Sequence, residues 1–461
     1  MKLKQLLIGM LLITCTGSFF HSACQSKRTT DYINNPALEA EADHLLQPFV
    51  KEDLISGSIL IAKGNKIVLT KGYGFADKEK GILNTPETKF RICSMTKMIT
   101  GIAVLILQER RMLDIQDPIS KYIKGIQNGN NITLFHLLTH TSGIPGYDLD
   151  RTRETPVELE TIIGWIREIK PISNPGDEFI YSNSGFVLLS EVIQKVSGLP
   201  YEDFVRENIF KPCSMKNSGL FSRAKSISRM ALGYTKKPYG PTIPAKNAPS
   251  GGKGAGDLYT TVLDLHRLGR TILKGDLLST ETWNQAFQPF KKGWGLACRV
   301  EPIEGQNQVH HGGGADGFMS EFRVLRDAGI IVITLCNHDY LLTKAVLEPA
   351  LVKIALGKQW KPLYKDHASF LETFKQFLGE YPIDDGESWK SSFRLTMDNN
   401  HIYFQEKDKP RCFAYPITKN TIFIKEANYR ISFQMTEKGT ASYFGVFGLI
   451  GLVDERKTNN Y

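Results

Sequence analysis

The order in which strand and helix patterns follow one another constrains the fold of this 461-residue chain most strongly. Two β-branched, apolar runs, Ser58–Ala62 and Lys66–Thr70, flank the turn pair Gly64-Asn65 and predict a β-hairpin. Helical patterns fill the middle of the chain, and strand patterns return in three later segments: Gly293–Val300, Gly317–Leu325 and Ile330–Cys336. We therefore expect an α+β fold in which both ends of this region build one antiparallel sheet and the middle forms a helical lobe.

Apolar residues at helical spacing predict the helices of this region. An opening helix is expected at Pro36–Val50 and a closing helix at Leu342–Leu356. The same pattern recurs between them in Ile99–Leu107, Ile132–Leu138, Pro156–Ile169, Phe186–Val196, Tyr201–Ile209 and Tyr259–Leu273. A cleft between the sheet and the helical lobe is the expected place for a ligand.

The pattern changes after Lys358–Lys365, which contains Pro362 and is predicted to be a linker. Asp366–Leu378 is predicted to be a helix, and short apolar or alternating runs predict strands from residue 393 to residue 446. We expect residues 36–357 to form one domain and residues 366–461 to form a small β-rich C-terminal domain. Because no cluster of catalytic residue types is found after residue 358, we expect this tail to be removable.

The first residues have the composition of an export signal. Lys2 and Lys4 precede the apolar run Leu6–Thr16, which is too short to span a bilayer as a mature helix. We interpret residues 1–23 as a lipoprotein signal peptide, Cys24 as the lipidated residue and residues 24–35 as a tether; an ordinary secretion signal is the alternative. Either signal exports the protein to the cell envelope, in the periplasm or at the surface, and a lipid on Cys24 would anchor it to a membrane.

Charge and cysteine content argue against several classes of function. The net formal charge is +9, but no block of like charges is present, so we expect no nucleic-acid partner. Besides Cys15 and Cys24, the chain contains five widely spaced cysteines: Cys93, Cys213, Cys298, Cys336 and Cys412. Their odd number and their spacing indicate neither a disulfide framework nor a metal site, and we expect no cofactor.

A serine and a lysine stand three residues apart at the start of an apolar helix. Ser94 and Lys97 precede the run Ile99–Leu107, so their side chains share one helix face about one turn apart. A serine hydroxyl becomes a good nucleophile only when a base removes its proton, and a desolvated lysine with a lowered pKa can be that base. Ser94 and Lys97 are therefore our candidates for the nucleophile and its base.

Tyr181 and Asn183 lie in a turn before another apolar helix, and both suit this chemistry. A phenol beside a cationic lysine can be ionised or share its proton, so Tyr181 can exchange protons with Ser94. The Asn183 amide can bind a substrate carbonyl or hold Lys97. A structural turn and a helix cap are the alternative reading of the same residues.

The stretch 309–317 combines two histidines with a run of glycines. The glycines let the backbone approach a ligand, so an amide here can stabilise an oxyanion. His311 can bind a substrate carboxylate or help proton transfer, and with an ordinary pKa near roughly 6.5 we expect it to become protonated as the pH falls toward 6. His310 and His311 do not predict a metal site, because adjacent strand residues face opposite ways.

Two other motifs are interpreted as structural. His136 and His140 lie four residues apart, but Leu137 stands where the zinc proteases have a glutamate, so no metal is predicted. The loop from Leu137 to Pro145 is interpreted as structural, and a loop of the active site is the alternative. The stretch from Ser250 to Asp257 is rich in glycine but lacks the Gly-Lys-Ser/Thr ending of a phosphate-binding loop, so we interpret it as a close-packing loop that can lie beside the active site.

Together the motifs resemble those of the serine β-lactamase and penicillin-binding-protein family. Ser94-Met-Thr-Lys97, Tyr181-Ser-Asn183 and His311-Gly-Gly313 have the order and approximate spacing of its three motifs, and Leu137–Ile144 resembles the signature of its class C-like branch. The resemblance covers about residues 40 to 356. It implies a β-lactamase/transpeptidase-like fold, an antiparallel sheet with helices on both faces and a helical lobe.

The resemblance also implies a role for each matched residue. Ser94 would be the acyl-accepting nucleophile, and Lys97 and Tyr181 would form the proton relay. Asn183 would orient the substrate, and His311 and Gly313 would line the strand beside it. The backbone amides of Ser94 and Gly314 would form the oxyanion hole.

The third motif departs from the Lys-Thr-Gly of β-lactamases proper. His311 and Gly313 supply less charge and one hydroxyl fewer for a substrate carboxylate, which favours an esterase or a D-amino-acid peptidase or carboxypeptidase over an efficient β-lactamase. We therefore expect an exported serine hydrolase whose partners are small ester, amide or D-amino-acid peptide substrates. The alternative is a catalytically silent protein that keeps the penicillin-binding fold and binds envelope ligands.

Overall fold

The computed structural model describes residues 33, 35–152, 157–222, 226–245, 252–315, 317–340, 347–360, 367–384, 390–435 and 441–447. The predicted signal peptide, the lipidation site Cys24 and most of the tether lie outside these residues. Within the described part of the chain, no helix combines the length and the apolar character that crossing a membrane requires.

The helices and strands of the sheet-and-helix region follow one another along the chain. The helices are α1 (Pro36–Lys51), α2 (Thr96–Glu109), α3 (Leu134–Leu138), α4 (Leu159–Glu168), α5 (Asn183–Ser197), α6 (Tyr201–Val205), α7 (Val262–Lys274), α8 (Thr280–Ala286) and α9 (Glu348–Ala355). The strands are β1 (Gly57–Lys63), β2 (Lys66–Tyr73), β3 (Phe75–Asp77), β4 (Ile82–Leu83), β5 (Phe90–Arg91), β6 (Gly219–Leu220), β7 (Tyr234–Lys236), β8 (Thr242–Pro244), β9 (Leu258–Thr260), β10 (Gln308–Ala315), β11 (Phe318–Leu325) and β12 (Ile330–Cys336).

The central sheet joins the two ends of this region, as predicted. Its five strands have the order β10-β11-β12-β1-β2, and every neighbouring pair is antiparallel. The pairing of Gly57 with Cys336 and of Lys63 with Ile330 sets the register between the first and the last strand. β10 lies at one edge of the sheet and contacts the 3-10 turn Cys93–Met95, which precedes α2.

Alternation along β1 divides the core into two layers. Ile59 and Ile61 pack in one cluster with α1 and α9, whereas Leu60 and Ala62 pack in the other with α7 and the helical lobe. This is the period of two that a strand covered on both faces requires. At Gly269 of α7 an added Cβ would lie 2.8 Å from the Ile331 side chain, so glycine lets the helix pack closely against the sheet.

One predicted strand and the start of one predicted helix are wrong. Gly293–Val300 is not a strand: a 3-10 helix ends at Gly293, Ala297 has a φ of 62°, and only Trp294 and Arg299 form isolated bridges. The helix predicted from Tyr259 begins at Val262, because Thr261 caps it through the Asp264 N–H. In both segments, tertiary contacts decide the backbone course despite the local apolar pattern.

The C-terminal region adds the helix α10 (His367–Phe374) and a seven-stranded antiparallel sheet. Its strands are β13 (Gly379–Asp384), β14 (Lys390–Asp398), β15 (His401–Glu406), β16 (Cys412–Thr418), β17 (Thr421–Ile424), β18 (Tyr429–Met435) and β19 (Ala441–Phe447), paired in chain order. Phe374 of α10 packs against Phe433 of the sheet, so helix and sheet share one aromatic core. The β-rich character of this region is confirmed, whereas its boundary near residues 358–365 stays a prediction.

Buried contacts join this region to the rest of the protein. Tyr340, which follows β12, packs against Phe423, and both side chains are almost fully buried. The Asn428 amide donates to the Asp339 carbonyl oxygen over 3.1 Å, and the Tyr239 hydroxyl donates to Glu406 over 2.8 Å. These contacts argue against the expectation that the tail is removable.

We therefore expect a chain truncated after Lys358 to be less stable than the full-length protein. Loss of the tail exposes Tyr340 and Leu54, and each fully buried apolar side chain contributes about 1.5–3 kcal/mol. Calorimetry of the two proteins should show a lower Tm for the truncated chain, together with poorer solubility. If the truncated chain is soluble, is labelled at Ser94 and has an unchanged Tm, the tail is removable after all.

Candidate active site

Ser94 and Lys97 meet where a short 3-10 turn leads into α2. The turn covers Cys93–Met95, and Lys97 occupies the first turn of the helix with no solvent exposure. The Lys97 Nζ atom lies 3.1 Å from Ser94 Oγ and 2.7 Å from both Asn183 Oδ1 and the Ala255 carbonyl oxygen. The amine is thus fixed by three oxygen atoms, one of which belongs to the candidate nucleophile.

Burial changes the acidity of the Lys97 ammonium group. Desolvation disfavours its charge and lowers its pKa to about 7, while the nearby Cys93 and Asp257 act in the opposite direction. A substantial fraction of Lys97 is therefore a neutral amine near pH 7. This is the state that can accept the Ser94 proton.

Tyr181 and Asn183 reach the same point from the start of α5. Ser182 caps this helix by accepting the Gly185 N–H, which places Asn183 in its first turn beside Lys97. Tyr181 interacts with the Ser94 side chain, and its ring lies 4.9 Å from Lys97 Nζ. Burial raises the pKa of Tyr181 above its ordinary value, so the phenol keeps its proton. Of the two expected forms, this excludes the ionised one and leaves proton sharing.

β10 closes the other side of the site. A Cβ atom at Gly313 would lie 2.3 Å from the Ile92 carbonyl oxygen and 2.8 Å from the Ser94 nitrogen, so this position accepts only glycine. His310 exchanges backbone hydrogen bonds with Arg299 on the side away from β11. Because N–H directions alternate along a strand, the Gly314 N–H also points toward this edge. The structure thus brings the third motif against the Ser94 turn.

His311 lies in this wall but does not behave as expected. Its Nδ1–H donates to the Gly312 carbonyl oxygen over 2.6 Å, and within the described part of the chain its Nε2 atom has no hydrogen-bond partner. Burial, helped by the positive charge of Lys97, lowers the pKa of His311 to about 3. The imidazole is neutral at pH 6, so the expectation that mild acid protonates it is wrong. His310 faces the opposite side, where its Nδ1 lies 2.9 Å from Glu321.

A group of aromatic rings packs against the Tyr181 ring, and the sequence analysis did not predict it. The His140 ring stacks on Tyr181 with 4.3 Å between centroids, and His140 Nδ1 accepts the Ser182 N–H over 3.0 Å. Trp294 packs at 4.9 Å from His140 and 5.3 Å from His311. The loop motif that contains His140 was the available signal, although it was assigned to the scaffold. Nothing in the sequence marked Trp294.

The loop 252–257 also contributes, because its Ala255 carbonyl oxygen accepts a hydrogen bond from Lys97. The prediction of a close-packing loop beside the site agrees with this position. The five cysteines after the tether are buried, and none is in a disulfide within the described residues. The described residues contain no group of three metal-ligating side chains.

Comparison with known proteins places this geometry in one family. The family model described as Beta-lactamase matches residues 42–356. A Bacillus subtilis (strain 168) protein named as penicillin-binding protein PbpX is 31% identical over 322 residues, which cover 68% of this chain and 78% of that one. A teichoic acid D-alanine hydrolase of Staphylococcus aureus (strain MRSA252) is 28% identical over 52% of this chain and 60% of its own length.

A solved structure extends the likeness of fold over most of the chain. The octameric penicillin-binding protein homologue from Pyrococcus abyssi superposes with a TM-score of 0.68 at 24% identity and covers 89% of this chain and 96% of that one. The family match, the relatives and the fold agree with the three motifs that meet at Ser94. The chain belongs to the β-lactamase family, and it is a serine hydrolase of the β-lactamase/penicillin-binding-protein type.

Proposed function

We propose that the protein is an exported hydrolase of small esters or amides, including D-amino-acid derivatives, and that it acts through an acyl-enzyme on Ser94. The observation that carries this proposal is the buried Lys97 amine, which lies 3.1 Å from Ser94 Oγ and has a pKa of about 7. A general base works best when its pKa is near the working pH, and this one meets that condition.

The proposed reaction begins with proton transfer from Ser94 Oγ to the neutral Lys97 amine. Oγ then forms a bond to the substrate carbonyl carbon, and the carbonyl oxygen becomes an oxyanion held by the Ser94 and Gly314 amides. Tyr181, which keeps its phenolic proton, donates that proton to the leaving oxygen or nitrogen and is reprotonated from Lys97. In the second half of the reaction, water takes the place of the leaving group. It loses a proton to the same relay and attacks the acyl carbon, and Ser94 Oγ leaves and regains its proton, which releases the acid.

The wall of the site supports a substrate that does not depend on a cation beside Ser94. His311 is neutral, and Gly313 has no side chain to offer a hydroxyl group. Arg299 provides a permanent charge near Trp294, but Glu301 lies 3.1 Å from it and offsets that charge. The relative named as a teichoic acid D-alanine hydrolase is consistent with a small D-amino-acyl group as the part that is transferred to Ser94.

A fluorophosphonate and a panel of substrates test the proposal together. We expect one adduct on Ser94 by mass spectrometry, and turnover of p-nitrophenyl esters, D-alanyl esters or D-amino-acid amides. The catalytically silent alternative requires an adduct without any turnover. The intact set of Ser94, Lys97, Tyr181 and Asn183 argues against it, since a binding protein has no need of the base and the relay.

The neutral His311 leads to a prediction about pH. Since its pKa is about 3, the imidazole stays neutral from pH 5.5 to 8, and acidification adds no cation for a β-lactam carboxylate. Nitrocefin turnover should be poor, with a kcat/KM about one to two decades below that of a site with a charged donor. Its ratio to p-nitrophenyl butyrate turnover should stay constant over this range. A rise of that ratio below pH 6.5 would contradict the assignment.

Export and lipid anchoring are the remaining part of the proposal. Cys24 lies outside the described residues, and the basic start, the apolar run and Cys24 itself carry the argument. Cys24→Ser should move the protein from the detergent phase to the aqueous phase, or leave it unprocessed, in a detergent-partition experiment. Ser26→Ala is the matched control and should remain in the detergent phase. Equal partition of all three proteins, with Cys24→Ser processed to the same length as the wild type, would contradict the anchor.

A further inference from the structure

Asp257 is a buried carboxyl group that the reaction described above does not use. It ends the loop 252–257, and its side chain is 5% exposed. Its Oδ1 atom accepts the Gly254 N–H over 3.2 Å, while Oδ2 has no hydrogen-bond partner among the residues that the structure describes. A buried carboxyl with an unused oxygen is costly, so its presence behind the active-site lysine calls for a function.

The loop that Asp257 closes is tied directly to α2. The Ala255 carbonyl oxygen accepts from Lys97 Nζ over 2.7 Å, and the neighbouring Gly254 carbonyl oxygen accepts from Thr100 Oγ1. The Leu258 N–H in turn donates to Thr96 Oγ1. These three hydrogen bonds hold the loop against the first part of α2, from Thr96 to Thr100. The Asp257–Gly254 hydrogen bond spans the turn that carries Ala255.

We propose that Asp257 is a positioning residue for Lys97: its carboxyl group fixes the loop 252–257, and the Ala255 carbonyl oxygen then holds the lysine amine against Ser94. The inference rests on the proposed role of Lys97 as the base. A second effect follows from charge, because an ionised Asp257 attracts the Lys97 ammonium group. The carboxyl group thus limits the position of the amine and also raises its pKa.

The surroundings of Asp257 are consistent with a group that titrates together with Lys97. Burial raises the pKa of Asp257 to about 7, and the charges of Lys253 and Arg91 oppose this shift. The negative charge of Asp257 acts on Tyr147 and Tyr201 as well as on Lys97. Tyr147 also has a buried hydroxyl group that makes no hydrogen bond to any described residue. Lys97 and Asp257 therefore bring an amine and a carboxyl with similar pKa values into one enclosed region.

Two substitutions separate position from charge. Asp257→Asn keeps an oxygen that can accept the Gly254 N–H but removes the charge, whereas Asp257→Ala removes both. We expect Asp257→Ala to lower kcat for p-nitrophenyl butyrate by about 10- to 100-fold with little change in KM, the scale of a small misplacement of a catalytic group. Asp257→Asn should restore most of kcat at pH 8.

The pH profile gives the second readout. The reaction needs a neutral Lys97, so kcat rises with pH through the pKa of that amine. Removing the negative charge of Asp257 makes the ammonium form less favourable, so the acid limb of Asp257→Asn should move to lower pH than in the wild-type protein. Asp276→Asn, which changes an exposed carboxyl after α7, is the control and should leave kcat and its pH profile unchanged.

The outcomes distinguish this inference from the proposed function. If Asp257→Ala keeps wild-type kcat and pH profile, Asp257 is not a positioning residue, although Ser94 can still be the nucleophile. If Asp257→Asn loses as much activity as Asp257→Ala without a shift of the acid limb, the carboxyl acts in some other way and the inference fails. Thermal unfolding of both variants shows whether either has lost its fold. If Asp257→Ala is unfolded, the kcat and pH profile of Asp257→Asn decide.

Discussion

Ser94→Ala is expected to abolish turnover of every substrate that the protein hydrolyses, while the fold remains intact. The substitution removes only Oγ, which is the atom that forms the acyl bond in the proposed reaction. Loss of a serine nucleophile lowers kcat by about 10⁴-fold or more in comparable enzymes. Ester hydrolysis and fluorophosphonate labelling of the purified variant measure the effect. Turnover within tenfold of the wild-type value would refute Ser94 as the nucleophile.

Lys97→Met extends this test to the base. Methionine is similar in length and removes the amine, so acylation should fall by about a hundredfold or more, the usual scale for loss of general acid–base catalysis. In the wild-type protein, kcat should rise with pH around a midpoint near 7, because the protonated amine cannot accept the Ser94 proton. The variant should lose this acid limb. Ser142→Ala, in the loop 139–145, is the control. It leaves Ser94 Oγ and the Lys97 amine in place and should keep the acid limb.

Gly313→Ala is also expected to lower activity strongly, although it removes no catalytic group. The added Cβ would lie 2.3 Å from the Ile92 carbonyl oxygen and 2.8 Å from the Ser94 nitrogen, distances that force the Ser94 turn to move. A displacement of about 1 Å can lower the rate about a hundredfold, and overpacking also costs about 1–3 kcal/mol of stability. Kinetics and thermal unfolding of the variant measure both effects.

The matched control for this substitution is Gly164→Ala. Gly164 lies within α4, and a Cβ there has no heavy atom within 4 Å. Alanine favours a helix over glycine by about 1 kcal/mol, so this variant should be at least as stable as the wild type and fully active. If Gly313→Ala were equally harmless, the close packing of β10 against Ser94 would have no role in catalysis.

Local patterns predicted much of this fold. The hairpin around Gly64-Asn65 and the strand Ile330–Cys336 come from β-branched runs bounded by turn residues, and the central sheet contains both. Ser94 and Lys97 could be paired because helical spacing alone brings their side chains together. Tyr181 and Asn183 could be named as candidates from their turn, but their pairing with Lys97 needed the family resemblance, since it depends on contacts between distant segments.

The parts that the sequence did not reveal all depend on tertiary packing. Trp294 stands in an apolar stretch that resembles a strand, yet its backbone is irregular and its ring packs between His140 and His311. The low pKa of His311 comes from burial, which cannot be predicted from the type of residue alone. Asp257 appeared only as the end of a glycine-rich loop, because its relation to Lys97 exists through the folded backbone.

The complete burial of Lys97 also bears on how this protein can be chemically modified. At neutral pH its amine is far less protonated than a surface lysine, which would ordinarily make it the first to react with acylating reagents. It has no solvent exposure, and Ser94, Asn183 and Ala255 occupy its surroundings. Reagents for protein amines therefore reach the surface lysines first. Attachment to a dye or a solid support through those lysines should leave the catalytic amine unmodified.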